Sequence, residues 1–284
     1  RRTVGRMSTG TSSGVVVRRD VEHVAEVVLD RPEALNAVST ALGRQLTSVL
    51  RELAADAGVW AVVLSSSNDR AFCVGADLKE RADFDDDQLL AQRPVIRAMF
   101  ASVRDLPMPV VAAVTGFALG GGFELALSCD VIVADATAVF GLPEVTVGLV
   151  PGGGGTQLLA RRVGTGVAAD LVLSGRKVGA SEASRIGIVD RLVEGTDGER
   201  TDGERRDGER TARQTALDVA VAIAANSPVA VRAAKRALHD GLGRPLAAGL
   251  EIEDTAWHAA AVSADRREGI TAFAEKRPPQ WLGT

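Results

Sequence analysis

Hydrophobic and polar positions follow two regimes along the chain. Up to about residue 195, short apolar runs are separated by polar or glycine-rich turns. Val15 to Leu29 holds two apolar segments around a polar turn near Arg19 and Asp20, which predicts two short strands. Leu42, Leu46, Val49, Leu50, Leu53 and Ala57 fall on one helical face behind Ser39, whose hydroxyl suits an N-cap. Val59 to Ser65, Val110 to Val114 and Val131 to Ala134 have almost no polar break, as expected of strands buried on both faces. Phe84-Asp85-Asp86-Asp87 predicts a solvated loop or helix start, Pro94 to Val103 a helix, and Ile188 to Val193 one more strand. Beyond residue 211 the period is helical. One helix is expected over Ala212 to Ala225. Another runs from Ser227-Pro228, a cap and first-turn signal, to about His239. A helix or helix pair spans Leu246 to Ala274, before an extended tail from Glu275 to Trp281. Strand-rich ββα-like units followed by an all-helical last third predict a layered α/β core with a helical appendage.

Composition narrows this picture. The chain has 284 residues, 46% of them hydrophobic, which is enough for a large core. A net charge of -4 gives no global attraction to nucleic acid or an anionic membrane. Cys73 and Cys129 match no metal or redox spacing and make no disulfide framework, which fits a reducing, cytoplasmic setting. No apolar run reaches the roughly 18 residues that span a bilayer. Residues 1–14 lack the apolar segment of a secretory signal and are expected to form a disordered arm. Residues 196–210 repeat one charged five-residue unit three times, with Arg206 in place of the leading Thr in the last copy. Without an apolar residue they predict a disordered surface insertion. The domain plan is therefore arm 1–14, core 15–195, insertion 196–210 and helical region 211–284.

Candidate chemistry concentrates between Pro109 and Pro151. An apolar strand leads into Gly120, Gly121 and Gly122, and a helix-like segment, Phe123 to Ser128, carries Glu124 on its first turn. A second acid, Glu144, follows Pro143 in an otherwise apolar loop, where an unpaired carboxylate is costly unless it works or is paired. The apolar neighbours of Glu124 predict burial and a raised pKa. Loops around Ala76 and Gly121 could each offer an amide to one oxygen; two ordinary tight turns would give the same pattern. Gly152 to Gly155 lack the lysine or acidic partner of a phosphate or dinucleotide loop, so close backbone packing or an approaching substrate is expected there. Asp77 and Asp130 suit caps or structural hydrogen bonds. His23, His239 and His258 build no metal or triad pattern, and no metal is expected.

Three segments together resemble the enoyl-CoA hydratase/isomerase, or crotonase, family over roughly Val15 to Trp281. They are Gly75-Ala76-Asp77-Leu78-Lys79, Gly120-Gly121-Gly122-Phe123-Glu124-Leu125 and Phe140-Gly141-Leu142-Pro143-Glu144, followed by Pro151 to Gln157. The resemblance implies an α/β fold, a spiral of ββα turns with a C-terminal helical trimerisation region, and a homotrimer or a hexamer built as a dimer of trimers. It implies an acyl-CoA substrate with no metal or redox cofactor. The thioester oxygen would sit between the amides of Ala76 and Gly121. Glu124 would activate water and Glu144 would supply a proton. Ala34 and Leu35 would meet the CoA moiety, Ala76, Asp77, Leu78 and Lys79 would line the acyl thioester, and Gly152 would lie near the reacting group. Lys276 would reach a neighbouring subunit's CoA. Hydration of a 2-enoyl-CoA, in lipid metabolism, is the expected reaction. Double-bond isomerisation is the alternative, because isomerases of the family keep the acid matching Glu144 and lose the one matching Glu124. The sequence is also similar to the methylglutaconyl-CoA hydratase branch, which includes an RNA-binding member. Asp83, Asp85, Asp86 and Asp87 argue against a phosphate-tracking surface here, and a catalytically silent subunit is a further alternative. Leu142 and Thr115 depart from residues often polar in the family, which leaves the acyl-chain preference open.

Overall fold

The structure is a computed structural model that describes residues 14–193 and 210–284. Most of the predicted arm and of the repeat insertion therefore lies outside the described residues. Gly14 is buried and its carbonyl accepts from the Asp30 amide at 2.9 Å, so it belongs with the first strand.

Two sheets share the chain. The larger has the order β1 (Val15–Val21), β2 (Val24–Leu29), β3 (Ala61–Ser66), β5 (Val110–Val114), β7 (Val131–Asp135) and β10 (Arg191–Val193). Only its β1–β2 pair is antiparallel. The smaller has the order β4 (Ala71–Cys73), β6 (Phe117–Leu119), β8 (Val139–Gly141) and β9 (Lys177–Gly179), antiparallel only at β8–β9. After β1 and β2, which both lie in the large sheet and lead to α1 (Thr40–Ala55), three successive turns of the chain lay one strand in the large sheet and the next in the small one, then helix. β3 and β4 lead to α2 (Leu78–Arg81) and α3 (Asp86–Arg104). β5 and β6 lead to α4 (Gly121–Leu127). β7 and β8 lead to α5 (Gly155–Val163) and α6 (Thr165–Ser174), and α7 (Ala180–Arg185) then joins β9 to β10. This is the expected spiral of ββα turns.

The inner strands of the large sheet, β2, β3, β5 and β7, are buried on both faces, which is why they show so little polar alternation. Val62, Leu64, Val110, Ala112, Val114, Ile132 and Ala134 face the main core with α1 (Thr40–Ala55) and α3. The alternate residues Val24, Ala61, Val63, Val111, Ala113 and Val133 face α8 (Ala212–Ala224) through Ala212, Ala216, Val219, Ala220 and Ala224. Within 211–284, then, α8 is a core helix. By contrast α10 (Leu246–Ala261) has no buried residue, and it follows α9 (Pro228–Gly241) and precedes α11 (Ala264–Glu275). Among the described residues no single helix is long and apolar enough to cross a membrane.

Several boundaries differ from expectation. The β1–β2 turn falls at Glu22 and His23, with His23 at φ 60°, rather than near Arg19 and Asp20, which are exposed within the edge strand. The third α-helix begins eight residues before Pro94, behind a capping box in which Asp85 and Gln88 satisfy each other's backbone amides. Ile188 is buried but precedes the strand, which starts at Arg191. Ser39 caps α1 as predicted, accepting from Leu42 N at 3.2 Å.

Candidate active site

The parallel strands β4, β6 and β8 are neighbours, and each ends one to three residues before a functional candidate: Gly75-Ala76, Gly120-Gly121 and Pro143-Glu144. Ligand sites form beyond the carboxyl ends of parallel strands for this reason: consecutive loops emerge side by side. Glycines bring the loops together. Gly75 lies at φ 90°, and a Cβ there would stand 3.1 Å from Gly121 N. A Cβ on Gly122 would come within 1.9 Å of the Cys73 carbonyl oxygen, so the first turn of α4 packs on β4 as only glycine permits.

Two amides are left open. Val38 pairs with the chain around Ala76 as a parallel bridge: Val38 N donates to Gly75 O at 2.7 Å and Asp77 N to Val38 O at 3.0 Å. Alternation along an extended chain turns the Ala76 N–H to the opposite side. Gly121 N is the first amide of α4 and has no intrahelical acceptor. Among the described residues no acceptor takes either amide. A Cβ on Gly75, next to Ala76, would stand 3.1 Å from Gly121 N, so the two open amides lie on touching loops, close enough to share one oxygen.

Glu124 is 3% exposed on α4. Its Oε1 accepts from Gly153 N at 2.6 Å and Gly155 N at 2.8 Å, and no hydrogen bond within the described residues reaches Oε2. Burial raises its pKa, while the amides of Gly155 and Gly153, then the Arg93 charge, oppose the rise. Arg93 on α3 donates to Gly152 O at 2.6 Å and so straps the same loop. A Cβ on Gly153 would strike the Phe100 ring, so close backbone packing accounts for these glycines. The four-glycine turn does hold an acidic group, the chain's own Glu124, through the amides of Gly153 and Gly155.

Glu144 is the second residue of a 3-10 turn, Pro143–Val147, and is half-buried beside Gly120. Gly120 lies at φ 51°, and a Cβ there would meet Glu144 Oε1 at 3.0 Å. Its Oε2 is buried without a hydrogen-bond partner among the described residues. Burial pushes its pKa up to about 7; its own amide opposes the rise and the Glu124 charge adds to it. The structure thus brings together Ala76, Gly121, Glu124, Glu144 and Gly152.

The remaining candidates lie around this centre. Ala34 ends a 3-10 turn and Leu35 follows at φ 50°; Leu35 O accepts from Val74 N at 3.3 Å, next to Gly75. Asp77 is a cap: its carboxylate accepts from Lys79 N and Glu80 N and pairs with Arg31 at 3.1 Å. Leu78 and Lys79 are exposed on α2. Lys276 is exposed at the C-cap of α11, and within the described residues no hydrogen bond or ion pair joins it to the two glutamates. Asp130, also expected to be structural, pairs with Lys235 and His239. Cys73 is buried, which pushes its thiol up to about 12, out of nucleophilic range. The Arg93 strap, the Phe100 support and the Gly153 and Gly155 donors were not legible in the sequence, because each is a tertiary pairing without a local motif.

Two open amides beside one buried and one half-buried carboxyl are an arrangement suited to holding an oxyanion and moving protons. The family described as Enoyl-CoA hydratase/isomerase matches residues 19–284, and the chain belongs to it. Enzymes of this family act on CoA thioesters. The Bacillus subtilis protein YngF is 42% identical over 262 residues, covering 92% of this chain and 95% of its own. The human mitochondrial methylglutaconyl-CoA hydratase is 37% identical over 256 residues, covering 90% of this chain and 72% of its own. A crystal structure of enoyl-CoA hydratase from Bacillus anthracis superposes with a TM-score of 0.88 at 37% identity, covering 95% of this chain and 100% of that one.

Proposed function

We propose that the chain hydrates 2-enoyl-CoA thioesters to 3-hydroxyacyl-CoA. The observation that carries this is the pair of neighbouring carboxyls, Glu124 buried and Glu144 half-buried, with Glu144 Oε2 lacking a partner among the described residues. A water between the acids supplies one. Glu124, its Oε1 fixed by Gly153 and Gly155, uses Oε2 to take a proton from water as the water oxygen bonds to Cβ. The C=C electron pair moves toward the thioester, and the enolate oxygen rests between the Ala76 and Gly121 amides. Glu144, with its pKa near 7, gives its proton to Cα. Solvent exchange returns the proton from Glu124 to Glu144. An oxyanion donor of this kind contributes on the order of 3–4 kcal/mol, and general acid–base help about 10²–10⁴-fold. In this reading Ala34, Leu35, Asp77, Leu78 and Lys79 border the CoA and acyl path.

The reading extends to assembly and setting. Leu246, Trp257, Ile270 and Phe273 are exposed on α10 and α11, more apolar surface than a lone helical arm leaves to water. A homotrimer, or a hexamer of two trimers, covers it and brings Lys276 to a neighbour's CoA. Buried free thiols at Cys73 and Cys129 suit the reducing cytoplasm.

Crotonyl-CoA tests the chemistry. Absorbance of the conjugated thioester falls as wild-type enzyme adds water, and Glu144→Gln slows that loss by about 10²-fold or more. No loss with wild type, or full activity in Glu144→Gln, sinks the assignment. Conversion of a 3-enoyl-CoA to its 2-enoyl isomer, without hydration, would replace it with isomerisation. The methylglutaconyl-CoA relative places a branched dicarboxylic thioester in the substrate panel.

A further inference from the structure

The turn at residues 31–38 holds two consecutive non-glycine residues in the left-handed region, Leu35 at φ 50° and Asn36 at φ 56°. Such conformations persist only where the surroundings over-determine them, and they gather at functional sites. The surroundings here are the Asn36 side chain. It is 0% exposed, and its carboxamide spends its polar atoms inside the fold. Oδ1 accepts from Arg31 N at 2.8 Å; Nδ2 donates to Ser66 Oγ at 2.7 Å and to Phe72 O at 2.9 Å. One side chain therefore ties the turn to the end of β3 and to β4.

The tie matters because of what the turn carries next. Two residues on, Val38 forms both bonds of the bridge that flanks Ala76, and Leu35 O takes Val74 N. Arg31 adds a second brace, donating to Ala37 O at 2.6 Å and to Asp77 Oδ2 at 3.1 Å. The two Val38 bonds bracket the Ala76 peptide directly, with the Leu35–Val74 bond and the Arg31–Asp77 pair on either side, so its direction follows the turn, and the turn follows Asn36. The Gly121 amide is aimed independently, by α4 and β6.

We propose that Asn36 is a positioning residue for the Ala76 half of the oxyanion hole, its carboxamide locking the left-handed turn whose Val38 bridge aims the Ala76 N–H at the thioester oxygen. This rests on the reading of the site as one that binds an enoyl thioester. Asn36 touches no substrate; it acts through Val38 and Ala76. Glycine in its place keeps the left-handed backbone at no steric cost while deleting all three side-chain bonds. Ser66→Ala is the milder perturbation, removing one acceptor of Asn36 and leaving the residue in place.

The measurement is the absorbance of bound cinnamoyl-CoA at saturation, with kcat and KM for crotonyl-CoA on the same preparations. Donors on the carbonyl oxygen draw charge through the conjugated chain and shift its absorbance to the red. Asn36→Gly is expected to shrink that red shift and lower kcat about 10- to 100-fold, less than the full loss of a donor, with a smaller change in KM. Ser66→Ala is expected to move both in the same direction by less, and it decides the matter if Asn36→Gly does not fold. A wild-type red shift and kcat in the folded variants, with only a lowered Tm, would show a purely structural residue and overturn the proposal. Absence of any red shift in wild-type enzyme would overturn the thioester-site reading itself, and this proposal with it.

Discussion

Glu144→Gln changes one oxygen to nitrogen at a half-buried carboxyl, and it should make the protein more stable while it disables it. The Glu144 pKa lies at about 7 in the folded protein against 4.5 for the free side chain, chiefly because burial penalises the charge. The folded state thus holds this proton more tightly than the unfolded chain. Between pH 4.5 and 7 the unfolded chain has shed a proton that the folded protein keeps, so folding stability falls as pH rises through that window and levels off above it. A difference of about 2.5 pK units at about 1.4 kcal/mol each is on the order of 3 kcal/mol, and solvent at the carboxyl trims it to about 2–3. Glutamine cannot ionise and escapes the penalty. Urea unfolding at fixed protein concentration should show the variant gaining on wild type by about 2 kcal/mol more at about pH 8.5 than at about pH 5. Hydration of crotonyl-CoA by the same samples should be about 10²–10⁴-fold slower. If the stability gap is the same at both pH values, or the variant is the weaker at about pH 8.5, then Glu144 is not held protonated by its surroundings and the acid role assigned to it fails.

Two further predictions probe the frame around the acids. Gly122→Ala would push a methyl to 1.9 Å from the Cys73 carbonyl, a backbone atom that cannot yield cheaply, so a loss of several kcal/mol or insoluble protein is expected; Gly166→Ala on α6, where nothing lies within 4 Å, should be neutral or gain up to about 1 kcal/mol. Equal thermal stability of the two variants would contradict the packing described. Lys235→Met removes a buried ammonium that bonds Met108 O at 2.9 Å and Asp130 Oδ2 at 2.7 Å, leaving Asp130 to His239 and the Val110 amide. Denaturant unfolding should record a loss of about 3 kcal/mol, and an unchanged midpoint would show that α9 is not pinned there.

How far the sequence disclosed this structure depended on the range of the interaction. Buried strands announced themselves as unbroken apolar runs because α8 covers the second face of the sheet. Ser39 and Asp77 were legible as caps because capping is settled within three residues. The β1–β2 turn was misplaced because polar Arg19 and Asp20 lie on a solvent-facing edge strand, while the residue that reverses the chain is His23, no usual turn former. Pro94 looked like a helix start but sits inside one, since the capping box upstream fixes the earlier beginning. At the site, the acids and the glycines stood out as residue types. What holds them did not: Gly153 and Gly155 reach Glu124 across 29 and 31 residues, and Arg93 reaches Gly152 across 59. Nothing local in the chain records such pairings.

Those long-range bonds also distinguish the two acids in the proposed mechanism. Both carboxyls are withdrawn from water, Glu124 fully and Glu144 in part, and burial alone would raise both and leave their roles interchangeable. The loop at residues 152–155 breaks the symmetry. It turns two amides onto Glu124 and is itself strapped by Arg93, whose charge favours the carboxylate form. Glu144 receives no such donors; apart from its own amide it has only the repulsion of Glu124 beside it. On the proposed reading, these donors direct ionisation to Glu124 as the base and leave the proton on Glu144 as the acid. Two like groups pushed apart by their surroundings in this way can take and give protons in one cycle near neutral pH. Because the asymmetry resides in the glycine loop, a side chain at Gly155, whose Cβ would stand 3.0 Å from Glu124 Oε1, would disturb the division of labour without touching either acid.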